Sequence, residues 1–168
     1  MNSDPSLPPA PLWRRLAAAG YDVMLLAALW MVVTGLVITI YGQSGLPMDE
    51  TGGVSKPPAA FLRWGLFPLL MLASWGFFAW FWLHGGQTLG MRAWRICSRD
   101  WQHGPMRFSQ TLLRFILATL SWLLLGLGYL MVLFPPYQSL HDRLSKTQTV
   151  VLPRQNKAKE KPEPGSEQ

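Results

Sequence analysis

Three long apolar runs constrain the fold of this chain more than any other feature. They cover Leu16–Tyr41, Trp64–Leu83 and Phe115–Phe134. A helix needs roughly 20 consecutive apolar residues to cross the hydrocarbon core of a bilayer, and each run reaches that length. The runs carry almost no charge, and nearly all lysines and arginines lie outside them, which is typical of membrane proteins. The sequence therefore predicts an all-α membrane protein with three hydrophobic helical segments.

The first apolar run contains one acidic residue, Asp22, about two turns from its start. A carboxylate at that depth is costly unless it faces protein or water. The run is too long for the apolar core of a signal peptide, which has roughly 7–15 residues, so we expect it to be retained in the membrane. The chain is predicted to hold a polar site close to one membrane face.

Basic residues predict which side of the membrane each loop occupies. Arg14 and Arg15 precede the first run, and arginines crowd the second loop, whereas the first loop, Gly42–Ala60, holds a single lysine. By the positive-inside rule, the N-terminus and the second loop are cytoplasmic. The formal net charge is +6, but these cations flank apolar segments, which favours contact with the headgroups of a lipid bilayer and not with nucleic acid.

The third run allows two topologies. The C-terminal residues are also basic, and three plain crossings would place them on the opposite side from the second loop. A re-entrant hairpin at Leu112–Tyr137, broken by Gly126 and Gly128, would return the chain to the cytoplasmic side. Thr147–Leu152 would then lie beside Arg92–Arg99, where the two segments are predicted to pair as a small cytoplasmic two-stranded element. We favour the hairpin and keep three crossings as the alternative.

The chain divides into one membrane domain and two tails. Residues 1–12 are rich in proline and serine, and residues 153–168 are charged and contain proline. Neither tail has enough apolar side chains to form a packed structure, so both are predicted to be disordered. Residues 13–152 form the predicted transmembrane domain.

A cluster of polar residues is the candidate functional site. Arg15 and Asp22 lie on one face of the first helix, about two turns apart. The second helix ends at a similar depth. In the hairpin topology the second acidic residue of interest, Asp142, returns to the same membrane face as Asp22. The predicted cluster contains Arg15, Asp22, His84, Gln87, Arg114, His141 and Asp142. Two interpretations stay open: a buried ion-pair network that fixes helix packing, or a proton or cation site at Asp22.

Other kinds of chemistry are not indicated by the sequence. His84 and His141 lie far apart, and no cysteine or histidine spacing supports a metal site. The glycine-rich segment Gly85–Gly90 lacks the Gly-Lys-Ser/Thr ending of a phosphate loop, and no nucleophile stands beside a general base. We therefore expect neither an enzyme nor a bound cofactor or metal.

Three motifs, in order along the chain, resemble the RDD family of small bacterial membrane proteins, which is named for one arginine and two aspartates. The segment Trp13–Asp22 resembles the first-helix signature, with Arg15 as the arginine and Asp22 as the first aspartate. The segment His141–Thr147 is similar to the closing motif, with Asp142 as the second aspartate.

The middle motif of the family is similar to Gly86–Gly90, with Arg114 further along the chain. The resemblance covers Leu12–Leu152, nearly all of the chain that we expect to be ordered. Two positions depart from the family pattern: Met91 stands where lysine is usual, and Lys146 stands where glycine is common.

The resemblance implies a multi-pass protein of the bacterial inner membrane. Transport of unknown ligands has been suggested for the family, and some members are linked to sodium/proton exchange. Because so few helices do not easily enclose a pathway alone, we expect a homo-oligomer or a membrane protein partner. The alternative to transport of ions or small solutes is a non-catalytic interaction or assembly protein, in which the arginine–aspartate cluster is a structural ion-pair network.

Overall fold

The computed structural model describes residues 7–51, 53–124 and 126–153. Residues 1–6 and 154–168, which hold most of the two tails predicted to be disordered, lie outside the described residues. In chain order the helices and strands are α1 (Leu12–Gln43), β1 (Asp49–Thr51), β2 (Val54–Lys56), α2 (Ala59–Phe61), α3 (Phe67–Leu83), α4 (Leu89–Ala93), β3 (Ile96–Asp100), α5 (Phe108–Leu123), α6 (Leu127–Leu130), α7 (Leu140–Leu144) and β4 (Thr147–Val151).

Among the described residues, two helices are long and apolar enough to cross a bilayer. They are Leu12–Gln43, with a mean hydropathy of 2.5 over its apolar stretch, and Ala59–Leu83, with 1.7. The second consists of α2, a π-helical turn at Leu62–Leu66, and α3. The third candidate passes the same test only as a bent pair, Phe108–Leu123 with Leu127–Leu133, at an angle of 107°. The predicted helical segments are thus confirmed as two candidate spans and one bent pair.

The bend in the third segment brings the end of the chain back beside the start of α5. β4 pairs with β3 in antiparallel register, from Ile96 opposite Val151 to Asp100 opposite Thr147. A straight crossing would have placed these two strands at opposite ends of the helices. The pairing that the hairpin alternative predicted for Thr147–Leu152 is therefore present.

The other predicted strand is shorter than expected. The sequence predicted a strand over Arg92–Arg99, but Leu89–Ala93 is helix α4, and β3 begins only after it. The physical reason is a helix cap, because the Thr88 hydroxyl oxygen accepts a hydrogen bond from the Met91 N–H at 3.1 Å. Such a cap satisfies a free N–H of the first helical turn and favours a helix over the alternating pattern.

Residues 8–10 run beside the outer edge of β4. The Val151 N–H donates to the Pro8 carbonyl oxygen at 2.9 Å, and the Ala10 N–H donates to the Thr149 carbonyl oxygen at 2.9 Å. Ala10 is buried among Ala18, Trp82, Met91, Ile96 and Met106. The sequence analysis assigned these residues to the N-terminal tail and did not anticipate the contact.

A hairpin that the sequence analysis did not predict occupies the first loop. Strands β1 and β2 are antiparallel, with Asp49 opposite Lys56. Gly53 in the turn has a φ of +76°, a conformation that glycine adopts without steric cost. Because the hairpin follows the C-terminal end of α1, it lies at the opposite end of that helix from β3 and β4.

The outer surface of the helices is strongly apolar. Met24 and Met31 on α1 are 73% and 71% exposed, and Trp64 is 77% exposed. A surface of this kind is unfavourable in water but suits contact with lipid chains. Apart from Ser74 and Ser121, the buried polar residues lie where the ends of α1, α3 and α5 meet α4, α7, β3 and β4.

Candidate functional site

The second aspartate of the predicted cluster, Asp142, is held between two arginines. The Arg15 guanidinium pairs with Oδ2 of Asp142, and the Arg114 guanidinium pairs with Oδ1. Asp142 is 0% exposed, and Thr149 Oγ1 also donates to its Oδ1 at 3.2 Å. Burial alone would raise the pKa of Asp142, but the Arg114 and Arg15 charges outweigh it and hold this pKa well below its ordinary value. The carboxylate is therefore ionised and neutralised by its partners.

The two arginines donate further hydrogen bonds to backbone carbonyl oxygens and hydroxyl groups around them. Arg15 donates from Nε to the Ala10 carbonyl oxygen at 2.9 Å and from Nη2 to the Thr149 carbonyl oxygen at 3.2 Å. Arg114 donates to Thr147 Oγ1 at 2.7 Å and to Thr149 Oγ1 at 3.1 Å. Together these bonds connect α1, α5, α7, β4 and the N-terminal segment. Arg15, Arg114 and Asp142, with these bonds, are called the ion-pair lock below.

His141 lies beside this lock and is neutral. Burial, together with the Arg114 and Arg15 charges, outweighs the effect of the Asp142 carboxylate and lowers the pKa of His141 to about 3. Its Nε2 is 2.9 Å from Ser139 Oγ, the hydroxyl that caps the start of α7. Its Nδ1 has no hydrogen-bond partner among the described residues.

The first aspartate, Asp22, lies apart from the arginines. Its Oδ2 accepts a hydrogen bond from the Thr88 hydroxyl at 2.5 Å, and its Oδ1 accepts one from the Gly90 N–H at 3.0 Å. Both donors belong to the start of α4. Among the described residues, no arginine or lysine lies within ion-pair distance of this carboxylate.

The partners that the sequence suggested for Asp22 are engaged elsewhere. Gln87 donates to the Ile96 carbonyl oxygen at 2.7 Å. His84 is exposed and stacks on Trp80, with ring centroids 4.1 Å apart. Arg114 belongs to the lock around Asp142. The structure thus brings Arg15, Arg114, His141 and Asp142 together and separates them from His84, Gln87 and the Asp22 contacts.

The sequence analysis missed the two residues that hold Asp22. Thr88 and Gly90 lie inside the segment quoted for the middle motif, but no role was assigned to either. A threonine one residue before a short apolar helix is a usual helix cap, so this signal was available. Position 90 has room only for glycine, because a Cβ there would meet the Ala18 carbonyl oxygen and the Asp22 carboxylate.

A cavity of about 320 Å³ between α1, α3 and α5 connects these features. Its walls are largely apolar and aromatic, and one polar contact lies deep in them, where the Trp30 indole N–H donates to Ser74 Oγ at 2.8 Å. The polar lining gathers at the end near β4. It consists of Arg15, Asp22, Thr88, Arg114, His141 and Thr149.

Comparison with known proteins supplies the family. Residues 9–146 match the model of the RDD family. The chain belongs to the RDD family. The resemblance drawn from the motifs is therefore confirmed, and Arg15, Asp22 and Asp142 of this RDD protein all lie within the matched residues. No curated protein and no solved structure matches the chain.

Membership gives the three signature positions a structural meaning. In this RDD protein the signature arginine, Arg15, pairs with the second aspartate, Asp142. The first aspartate, Asp22, instead faces a cavity and accepts hydrogen bonds from uncharged donors. The two aspartates therefore have different partners, charged for Asp142 and uncharged for Asp22.

Proposed function

We propose that this RDD protein binds a small cation at Asp22 and moves it through the membrane. The observation that carries the proposal is the contrast between the two aspartates. Asp142 has two guanidinium partners, whereas Asp22 has a hydroxyl and an amide N–H and lines the cavity. A carboxylate at membrane depth without a cationic side chain is unfavourable unless a proton or another cation joins it.

The structural interpretation applies to the other half of the cluster. Arg15, Arg114 and Asp142 use their polar atoms on one another and on β4, so they fix the fold around the cavity. A non-catalytic interaction or assembly role is the second candidate function, and this lock is the observation that favours it. The lock does not account for Asp22, which is why transport is preferred.

The placement in the membrane follows from charge. Arg14, Arg92 and Arg95 lie at the end of the molecule that carries β3 and β4, so the positive-inside rule makes this end and the N-terminus cytoplasmic in a bacterial inner membrane. The protein is then multi-pass, and the cavity lies just beneath the cytoplasmic surface. With at most three candidate spans in the described part of the chain, the complete pathway needs a second copy or a partner. No reaction at a covalent bond and no cofactor is involved.

Flux measured in proteoliposomes tests this function. Purified protein is reconstituted in phosphatidylethanolamine and phosphatidylglycerol vesicles, and radioactive sodium uptake and a luminal pH dye are followed under imposed gradients. Wild-type protein and the control Asp49→Asn, which alters the exposed β1–β2 hairpin, are expected to give equal flux. Asp22→Asn is expected to reduce the flux at least tenfold.

Folding is checked on the same samples by gel filtration and circular dichroism. A folded Asp22→Asn protein with wild-type flux would contradict the proposal. So would the absence of flux of every cation tested, namely sodium, protons and an organic ammonium ion, in wild-type vesicles that contain correctly folded protein.

A further inference from the structure

The cavity beside Asp22 has the size and lining of a site for an organic molecule. Its volume of about 320 Å³ falls in the range of small-molecule pockets, roughly 300–1,000 Å³. This volume is that of roughly ten water molecules in the liquid, but few atoms of the cavity lining can form a hydrogen bond with water. Its apolar wall includes Val23, Leu26, Met71, Phe115 and Ala118.

Asp22 is the group at the polar end of the cavity that favours a cation, since Arg15 and Arg114 at the same end are paired with Asp142. The Thr88 oxygen already accepts a hydrogen bond from the Met91 N–H, so its hydroxyl hydrogen is free to donate to Asp22. Both oxygens of Asp22 therefore accept hydrogen bonds, as an ionised carboxylate can. An uncharged or anionic ligand would leave this charge without a partner inside the membrane.

The walls are suited to a cation that carries aromatic or apolar groups. Trp30, Phe78, Trp82 and Trp122 all line the cavity, and aromatic faces attract organic cations. The Arg114 guanidinium lies 5.2 Å from the centre of the Trp82 ring, so this ring already has a cationic partner and the contact with a ligand cation falls to the other aromatic rings. The buried indole N–H of Trp82 has no acceptor among the described residues, which leaves one donor for a ligand.

A bare metal ion fits this lining less well. Ca²⁺ requires about six to eight oxygen ligands, and Asp22 with Thr88 supplies three side-chain oxygens. No group of three His, Cys, Asp or Glu side chains that could hold a metal occurs in the described part of the chain. The lining favours one ion pair and a large apolar contact.

We propose that the cavity binds a lipophilic organic cation, with its ammonium head at Asp22 and its apolar body between α1, α3 and α5. This inference rests on the proposed function and narrows it to a substrate class. The head pairs with the carboxylate, and the body fills space that a hydrated ion cannot use.

Equilibrium dialysis with radioactive benzyltrimethylammonium tests the inference on protein in lipid nanodiscs. Wild-type protein and Asp49→Asn are expected to bind it saturably, with one site per chain. Asp22→Asn removes the charge and is expected to weaken binding at least tenfold. Ala118→Phe fills the body of the cavity, keeps Asp22, and is expected to weaken binding by a similar factor.

Tetramethylammonium, which has the head without the body, is expected to compete at least tenfold more weakly. Neopentylbenzene, which has the same shape with carbon in place of the charged nitrogen, is expected not to compete. Equal competition by either compound would overturn the inference, as would wild-type binding in both folded variants.

The outcome is separable from that of the proposed function. Asp22-dependent sodium or proton flux without benzyltrimethylammonium binding would refute the organic cation and leave the transport proposal standing. Loss of both results would refute both.

Discussion

Replacing Asp142 by asparagine removes the only negative charge between two buried guanidiniums. Asparagine keeps the shape of the side chain and one acceptor oxygen, so the change is electrostatic and leaves no cavity. Arg15 and Arg114 would then lie close together, each about 5% exposed, without a counter-charge. We expect the fold at β4 and α7 to become unstable first, because these arginines bind both elements.

The magnitude follows from the burial of all three groups. Removing one partner of a buried ion pair costs about 3–5 kcal/mol, and Asp142 serves two such partners at once. For a chain of this size, 1 kcal/mol changes the melting temperature by roughly 2–4 °C. Asp142→Asn should therefore lower the melting temperature by at least about 6 °C.

Thermal unfolding in detergent, followed by circular dichroism, measures this effect. The matched control is Asp49→Asn in the exposed hairpin, which should leave the melting temperature unchanged. Arg114→Met should cost less than Asp142→Asn, because Arg15 and Asp142 remain as a neutral pair. The loss of unfolding free energy in the double variant, Asp142→Asn with Arg114→Met, should be smaller than the sum of the two single losses by at least about 1 kcal/mol. A loss below about 1 kcal/mol for Asp142→Asn, or strictly additive losses, would refute the lock.

Two further predictions concern the surroundings of the aspartates. Gly90→Ala should destabilise the protein by about 1–3 kcal/mol, because the new Cβ meets the Ala18 carbonyl oxygen and the Asp22 carboxylate. The control Gly76→Ala has open space around it and should not destabilise the protein. Equal melting curves for the two variants would contradict this packing. The pKa of His141 is about 3 in the folded state and about 6.5 in the unfolded chain, so the unfolded state binds more protons between these values. The free energy of unfolding should therefore fall by about 2 kcal/mol from pH 7 to pH 5, and His141→Gln should remove that part of the pH dependence. An unchanged pH dependence in the variant would show that His141 is not buried as described.

The apolar helical segments and the pairing of β3 with β4 could be predicted from the sequence. Apolar runs of bilayer length define helices without knowledge of their neighbours. The basic residues on both sides of the third run favoured a chain that turns back over three plain crossings, and the hairpin predicted Thr147–Leu152 beside the second loop. Both predictions depend only on whether a segment is stable in lipid or in water, and not on its detailed packing.

The contacts of Asp22 were not accessible in the same way. Spacing gave the face and depth of this residue on α1, and several polar groups lay within reach at that depth. The selection among them depends on α4, a five-residue helix whose existence was hidden by an alternating pattern. Short helices and turns of this kind are decided by a single cap and by close packing at Gly90, which only tertiary structure reveals.

Asp22 is proposed as a binding group and Asp142 as a structural one. The most direct test is the melting temperature of wild-type protein and Asp22→Asn, each measured with and without benzyltrimethylammonium chloride at constant ionic strength. Asparagine can still accept the Gly90 N–H, so the ligand-free variant should melt within a few degrees of wild type. At 100 times its dissociation constant the cation should stabilise wild type by about 2.7 kcal/mol and leave the variant unchanged. A ligand-free variant that unfolds as readily as Asp142→Asn, or an equal shift in both proteins, would contradict the account.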